Sequence, residues 1–171
     1  MTIQENPPIE HWNYFLTLEE DIDRLARYLQ PTQANFAAYS IEMARILMVA
    51  AAEIDVVAKQ LCRNIDEKSN AKTIDKYREK IVAKFPRITD AGVTLPRFGL
   101  TLQPWGQWKS ANSPSWWGAY NNVKHHRHTN FEDANLENCL NAAAALFVLL
   151  LFFYKDHAKK GQLIPDPRLF T

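Results

Sequence analysis

Apolar residues recur every three or four positions along most of this chain, which is the spacing of amphipathic α-helices. The first such run extends from Leu18 to Leu29, behind a capping-box pattern at residues 17–20 and before a helix-ending Pro31. A second run, from about Gln33 to Cys62, has apolar residues on most sides and predicts a central helix with several neighbours. Residues 1–15 form a lead-in whose aromatic side chains are expected to pack on the helices.

Two further helices are predicted, one short and one long. A charged pattern predicts a helix over residues 73–85, and a final apolar helix is expected from about 130 to 160. Thr129 or Asn130 can cap its start, and Gly161 its end. The fold class is therefore all-α, an up-and-down bundle of about four to five helices in which the two long helices pack antiparallel. In this single domain of residues 1–171, the lead-in is 1–15, an insert or lid is 86–113 and the tail is 162–171.

The insert breaks the helical pattern with four prolines and three glycines between residues 86 and 114. Two short pieces, 93–95 and 98–102, are predicted to form a small hairpin. Trp105 and Trp108 are expected to fix the insert to the bundle, where it forms a lid over the polar cluster of the next helix.

Composition limits the possible partners. The 171 residues are 47% hydrophobic and 23% charged, which is typical of a soluble globular protein. Because 20 basic and 19 acidic residues leave a formal charge of +1, any binding of nucleic acid must be local. Cys62 and Cys139 lack paired spacing and are predicted to be buried thiols in a reducing compartment.

The longest apolar run, Ala142 to Tyr154, is shorter than the roughly 20 residues that a membrane span needs. The N-terminus also lacks a basic-then-apolar signal pattern. We therefore expect a cytoplasmic protein with no membrane partner.

The densest chemistry lies between Trp116 and His128, in a helix that Ser113 and Pro114 are expected to start. At about 100° per residue, one side of this helix is apolar and should face the core: Trp116, Ala119, Tyr120, Val123 and the stem of Arg127. The other side is a polar cluster, with Trp117 beside it: Asn121, Lys124, His125 and His128. His126 is expected to point toward Ala119 and the packed side.

Three chemistries compete for this cluster, besides a purely structural role at a helix junction. A metal site is disfavoured, because His125 and His128 lack a third ligand at a recognisable spacing. A hydrolytic triad is disfavoured because no nucleophile elbow exists. Phosphate or RNA binding fits better, since Lys124 and Arg127 are phosphate ligands and neighbouring rings offer stacking surfaces. Glu53 is either an ordinary helix charge or the balance for a cation of this cluster. We expect no metal and no cofactor.

The run Tyr120-Asn121-Asn122-Val123-Lys124-His125, at the junction with a long apolar helix, resembles the HEPN superfamily. These are small α-helical bundles named for nucleotide binding in higher eukaryotes and prokaryotes, and many are metal-independent ribonucleases. Their signature is an Arg followed roughly four to six residues later by a His, with a polar residue, often Asn, just after the Arg. Asn121 and His125 match the polar and His positions, whereas Tyr120 stands where the Arg is expected.

The resemblance implies an RNA-handling protein that acts as a metal-independent endoribonuclease of a toxin–antitoxin or defence system. In that chemistry an RNA 2′-hydroxyl attacks the neighbouring phosphate, with His125 as general base or acid. Asn121 fixes the imidazole or a phosphate oxygen, and Lys124 or Arg127 stabilises the phosphorane. The rival class, which Tyr120 favours, is a non-catalytic RNA-binding, nucleotide-binding or protein-interaction module.

The predicted site thus has two groups of residues. The catalytic group is His125, Asn121, Lys124 and Arg127, and the group that binds RNA or phosphate is Tyr120, His126, His128 and Trp117. We also expect a homodimer that joins two copies of the polar face, and a partner from an antitoxin or defence system. Apolar surface left over on the final helix would help to form that dimer.

Overall fold

The computed structural model describes residues 8–171, and helices dominate it. The α-helices of this part of the chain are α1 (Glu10–Leu25), α2 (Ile41–Ile65), α3 (Ile74–Lys84), α4 (Ser115–His126), α5 (Leu136–Phe153) and α6 (Lys155–Lys159). Two short strands, β1 (Val93–Leu95) and β2 (Leu100–Leu102), pair antiparallel between α3 and α4. The all-α prediction is confirmed, with the hairpin as its single small sheet in the described residues.

The first helix begins earlier than the capping-box pattern predicted. Thr17 lies inside α1, where its hydroxyl donates to the Asn13 carbonyl oxygen at 3.1 Å. Trp12 and Phe15 extend the buried stripe toward the N-terminus, so packing rather than the cap sets the start at Glu10. The described part of the predicted lead-in is therefore mostly helix, and residues 1–7 lie outside the described range.

The starts of both long helices are set by capping side chains that differ from those expected. Ser40 accepts from the Met43 N–H at 3.1 Å, so α2 begins at Ile41 rather than near residue 33. In the same way Asn135, not Thr129 or Asn130, caps the last long helix by accepting from the Asn138 N–H at 3.0 Å. At the C-terminal end the expected Gly161 has a left-handed φ of 63°, just after α6.

The prediction that the two long helices pack antiparallel is wrong. The Leu136 N–H donates to the Ala38 carbonyl oxygen at 2.9 Å, so both helices start at the same end of the molecule. Cys139 continues this register, with its thiol donating to the Met43 carbonyl oxygen at 2.9 Å. The chain between the two helices includes α3, the hairpin and α4, and it runs from the C-terminal end of α2 back to the N-terminal end before α5 begins.

Tryptophans fix the insert to the bundle, as predicted. The fully buried Trp105 donates its indole N–H to the Ala145 carbonyl oxygen of α5 at 3.1 Å. Trp116, in the first turn of α4, donates to the Pro104 carbonyl oxygen at 2.9 Å. The insert therefore packs on α5 and on the N-terminal end of α4, rather than as a lid over the polar cluster at the other end.

The tail runs back across α1 and is held by one buried carboxylate. Glu19 is only 4% exposed and accepts backbone N–H groups from three consecutive residues. The donors are Arg168, Leu169 and Phe170, at distances between 2.7 and 3.2 Å. Three donors on one carboxylate satisfy a charge that would otherwise be costly to bury.

The apolar helix α5 forms the centre of the core. Leu136–Phe153 is long and apolar enough to cross a membrane by composition alone, but 67% of it is buried inside the protein. A helix that is apolar all round and covered by its own protein is a core helix. Every residue from Ala142 to Leu150 is buried within the protomer, so this stretch does not supply the spare apolar surface expected for a dimer.

Candidate functional site

The two faces predicted for the motif helix are present in α4. Trp116, Ala119, Tyr120 and Val123 are all buried, whereas Lys124 and the residues that follow it are exposed. Ser113 does not cap the helix with its side chain. Instead, the Gln107 side-chain oxygen accepts from the Ser115 N–H at 2.6 Å, so the insert fixes the start of α4.

A cleft of about 620 Å³ lies at the C-terminal end of α4. Its apolar wall is formed by Met48 of α2, Val123 of α4 and Phe131 of the turn that follows. Its polar wall is formed by Lys124, His125, Arg127 and His128. The structure therefore brings together four of the predicted site residues in one concave surface.

The cleft contains two cations, Lys124 and Arg127. Neither Lys124 nor Arg127 pairs with a carboxylate anywhere in residues 8–171. Lys124 instead lies over the Tyr120 ring, with its Nζ 5.4 Å from the ring centroid. Arg45, by comparison, is bound by Asp21 and Glu42 at once. The cleft thus concentrates positive charge in a protein whose net charge is only +1.

The three histidines differ in their relation to the cleft. His125 and His128 line it, and His126 does not. His126 is exposed, so it is not packed against the core although it follows the buried Ala119 by two helical turns. Its ring centroid is 6.3 Å from that of His125 and 6.4 Å from that of His128. The helix ends at His126, and the Arg127 that follows still has helical dihedral angles, with φ −55° and ψ −32°.

Neither of the two asparagines of α4 contacts an imidazole, which is the role that the sequence pattern suggested for Asn121. Asn121 donates its amide to the Trp117 carbonyl oxygen at 3.1 Å and makes no hydrogen bond to His125. Asn122, which the pattern did not single out, donates to an Asp133 carboxylate oxygen at 2.8 Å. That bond ties α4 to the 3-10 turn Phe131–Asp133 and so fixes one wall of the cleft.

The rings predicted as stacking surfaces belong largely to the core. Tyr120 is only 7% exposed, and its ring packs against Trp117 with centroids 5.2 Å apart. Trp117 is half-buried and also packs edge-on against Trp116 at 5.8 Å. Neither ring lines the cleft. Tyr120 therefore fills the core at the position where the HEPN signature has its Arg.

Glu53 does not balance a cation of the cleft. Its carboxylate is hydrogen-bonded to the Nδ1 of His11 at 2.5 Å, and both side chains are mostly buried. His11 also meets Phe153 edge-on, with ring centroids 5.5 Å apart. Burial and the nearby Glu53 carboxylate raise the pKa of the Tyr14 hydroxyl. The pair of His11 and Glu53, with Phe153 packed against His11, therefore connects α1, α2 and the C-terminal end of α5.

Metal-ligating side chains do not gather within the described range, where no three of His, Cys, Asp and Glu form a cluster. His125 and His128 line the cleft together, but within the described residues no third ligand of these types joins them. The chain matches no protein-family model, no curated protein and no solved structure. The resemblance to HEPN proteins therefore rests on the residues of α4 alone.

Proposed function

We propose that this protein is a HEPN-like RNA-handling protein that binds RNA phosphates in the cleft of α4 and cleaves RNA there without a metal. One observation supports it most. Two cations that have no carboxylate partner among residues 8–171, Lys124 and Arg127, share a concave surface with two imidazoles, those of His125 and His128. Phosphate groups are bound by such cations, and a local cluster can bind them although the whole protein is nearly neutral.

The residue types support a specific reaction. One imidazole takes the proton of an RNA 2′-hydroxyl, whose oxygen attacks the adjacent phosphorus. The bond from phosphorus to the 5′-oxygen breaks, and the second imidazole, as imidazolium, protonates that leaving oxygen. The products are a 2′,3′-cyclic phosphate and a free 5′-hydroxyl. Lys124 and Arg127 stabilise the charge that develops on the phosphorane. We assign His125 and His128 to the two proton transfers, because both line the cleft.

A non-catalytic RNA-binding or protein-interaction module is the second candidate. Two observations favour it over the enzyme. Tyr120 occupies the core where HEPN ribonucleases have their Arg, and Asn121 is bonded to Trp117 instead of an imidazole. The positions of Tyr120 and Asn121 do not affect the cations that would bind phosphate. The chain nevertheless lacks two parts of the HEPN catalytic signature.

The proposed biological setting follows from the same resemblance. We place the protein in the cytoplasm, as a homodimer whose two clefts share one RNA, in a toxin–antitoxin or defence system. The support for the dimer is electrostatic, since two copies of Lys124 and Arg127 would double the positive charge near the RNA.

Cleavage assays with histidine variants test this proposal. A labelled RNA that contains loops and helices is incubated in EDTA with wild type, His125→Ala, His128→Ala and the matched control His126→Ala. We expect cleavage by wild type and by His126→Ala, a loss of about 100-fold or more in the other two, and no cleavage of DNA. Cleavage that needs a divalent metal, or that survives in His125→Ala, contradicts the mechanism. Binding without cleavage by wild type supports the second candidate.

A further inference from the structure

The cleft has an aromatic side as well as a cationic one. Phe131 lines the cleft, and Tyr39 packs edge-on against Phe131 with ring centroids 5.3 Å apart. Tyr39 is 52% exposed, which leaves a large part of its ring in contact with solvent. Neither ring belongs to the motif of α4, because Tyr39 precedes α2 and Phe131 follows α4.

Backbone and side-chain bonds hold this ring pair in place. Tyr39 forms an antiparallel bridge with Asn135, just before α5. The bond from Asn122 to Asp133, at 2.8 Å, fixes the turn that carries Phe131. An aromatic surface that is already ordered loses little conformational entropy when a ligand stacks on it.

We propose that Tyr39 and Phe131 form a stacking platform for an unpaired nucleobase, so that the cleft selects single-stranded RNA over duplex RNA. This inference rests on the proposed RNA-binding function. The cleft volume of about 620 Å³ is in the range of pockets that enclose small ligands. One nucleotide can therefore place its phosphate on Lys124 or Arg127 and its base on the ring pair. Because every base has a π-face, this stacking tolerates different sequences.

Duplex RNA cannot use the platform. In an A-form duplex the bases are stacked inside, and the protein meets mainly phosphates and 2′-hydroxyls. Only the contacts of Lys124 and Arg127 would remain for such a ligand. The difference in affinity between single strand and duplex thus reports the contribution of the rings separately from that of the cations.

The first test uses wild-type protein and three RNA ligands in fluorescence anisotropy titrations. The ligands are a single strand, the same strand with abasic riboses at its centre, and the same strand annealed to its complement. All carry 2′-O-methyl groups so that cleavage cannot consume them. We expect the abasic strand and the duplex to bind about tenfold more weakly than the intact single strand. Equal affinities for the intact and the abasic strand overturn the platform.

The second test changes the protein. Tyr39→Ala should weaken single-strand binding by about fivefold to tenfold and leave duplex binding unchanged. Tyr39→Leu, which keeps apolar bulk, should show the same loss if a ring is required. Tyr28→Ala is the matched control, because Tyr28 is 88% exposed and, unlike that of Tyr39, its ring does not pack against Phe131.

The outcomes separate this inference from the proposed function. If Lys124→Ala weakens binding but Tyr39→Ala behaves like Tyr28→Ala, the platform is wrong and the proposed function stands. If wild type binds no RNA, both are wrong. A loss on Tyr39→Ala that is confined to the intact single strand supports both.

Discussion

Replacing the buried Glu19 by Gln should destabilise the protein strongly, although the change only exchanges one carboxylate oxygen for an NH₂ group and removes the charge. Glu19 Oε1 accepts from the Leu169 N–H at 2.7 Å and from the Phe170 N–H at 3.2 Å. Its Oε2 accepts from the Arg168 N–H at 3.0 Å. A Gln side chain has one acceptor oxygen, so its amide must face at least one of these donors. The best orientation keeps the two bonds at Oε1 and turns the NH₂ group against Arg168.

The expected cost follows from that count. One charge-assisted bond is lost, at about 1.5–3 kcal/mol, and the two that remain lose the full negative charge of their acceptor. We expect Glu19→Gln to lower the free energy of unfolding by about 2–3 kcal/mol. For a chain of this length, each kcal/mol shifts Tm by roughly 2–4 °C, so Tm should fall by about 4–12 °C. Glu19→Ala strands all three donors and should cost about 3–5 kcal/mol.

Thermal and urea unfolding, followed by circular dichroism at pH 7, measure this loss. Glu20→Gln is the matched control, because the neighbouring Glu20 is exposed and makes only a surface ion pair, with its Oε2 3.8 Å from the Arg24 Nη2. That change should alter stability by less than about 0.5 kcal/mol. Amide hydrogen exchange at Arg168–Phe170 should accelerate in Glu19→Gln first of all. If Glu19→Gln and Glu20→Gln have the same Tm, the Glu19 carboxylate does not hold the C-terminal tail.

Three further results are expected. Tyr120→Arg should cost about 3 kcal/mol in a urea titration, because a guanidinium replaces a ring that is 7% exposed; a variant as stable as wild type and more active in RNA cleavage contradicts this. Burial raises the pKa of the Cys62 thiol to about 11, so Cys62 and the buried Cys139 should resist iodoacetamide at pH 8 until denaturant is added. Because an unfolded Cys titrates near about 8.5, Cys62 supports the fold below that pH, and urea titrations should show stability falling as the pH rises from there toward 11. A double-mutant cycle of His11→Ala and Glu53→Gln should give a coupling energy above about 1 kcal/mol, and additive losses would show that the 2.5 Å contact does not stabilise the fold.

Features that depend on nearby residues could be predicted from the sequence. The buried face of α4 follows from Trp116, Tyr120 and Val123, which recur at helical spacing within two turns. The hairpin follows in the same way, although β2 begins at Leu100 rather than at residue 98, because Gly99 lies in the turn with a left-handed φ of 64°. Periodicity is sufficient for such elements, because their partners are a few residues away.

Features that depend on distant partners could not be predicted. The direction of α5 relative to α2 is set by backbone contacts such as Leu136 to Ala38, which no local pattern reveals. The same is true of the cleft: Met48 and Phe131 are ordinary apolar residues in the sequence, and only the packing of α2 beside the turn after α4 brings them together. Asn121 and Asn122 are adjacent in the sequence and point about 100° apart around the helix axis. Only the position of Asp133 in the fold shows that Asn122 makes the hydrogen bond that fixes the cleft wall.

The salt dependence of RNA binding tests the central claim, that the α4 cleft binds RNA phosphates, most directly. The logarithm of the association constant for a single strand is measured against the logarithm of the salt concentration for wild type and for the double variant Lys124→Ala with Arg127→Ala. Each lost phosphate contact should reduce the slope by about 0.7, so the double variant should lose about 1.4. The control combines Arg27→Ala with Lys160→Ala, which removes two exposed cations outside the cleft, and should keep the wild-type slope. If the control changes the slope as much as the cleft variant does, or if neither changes it, RNA phosphates do not bind in this cleft.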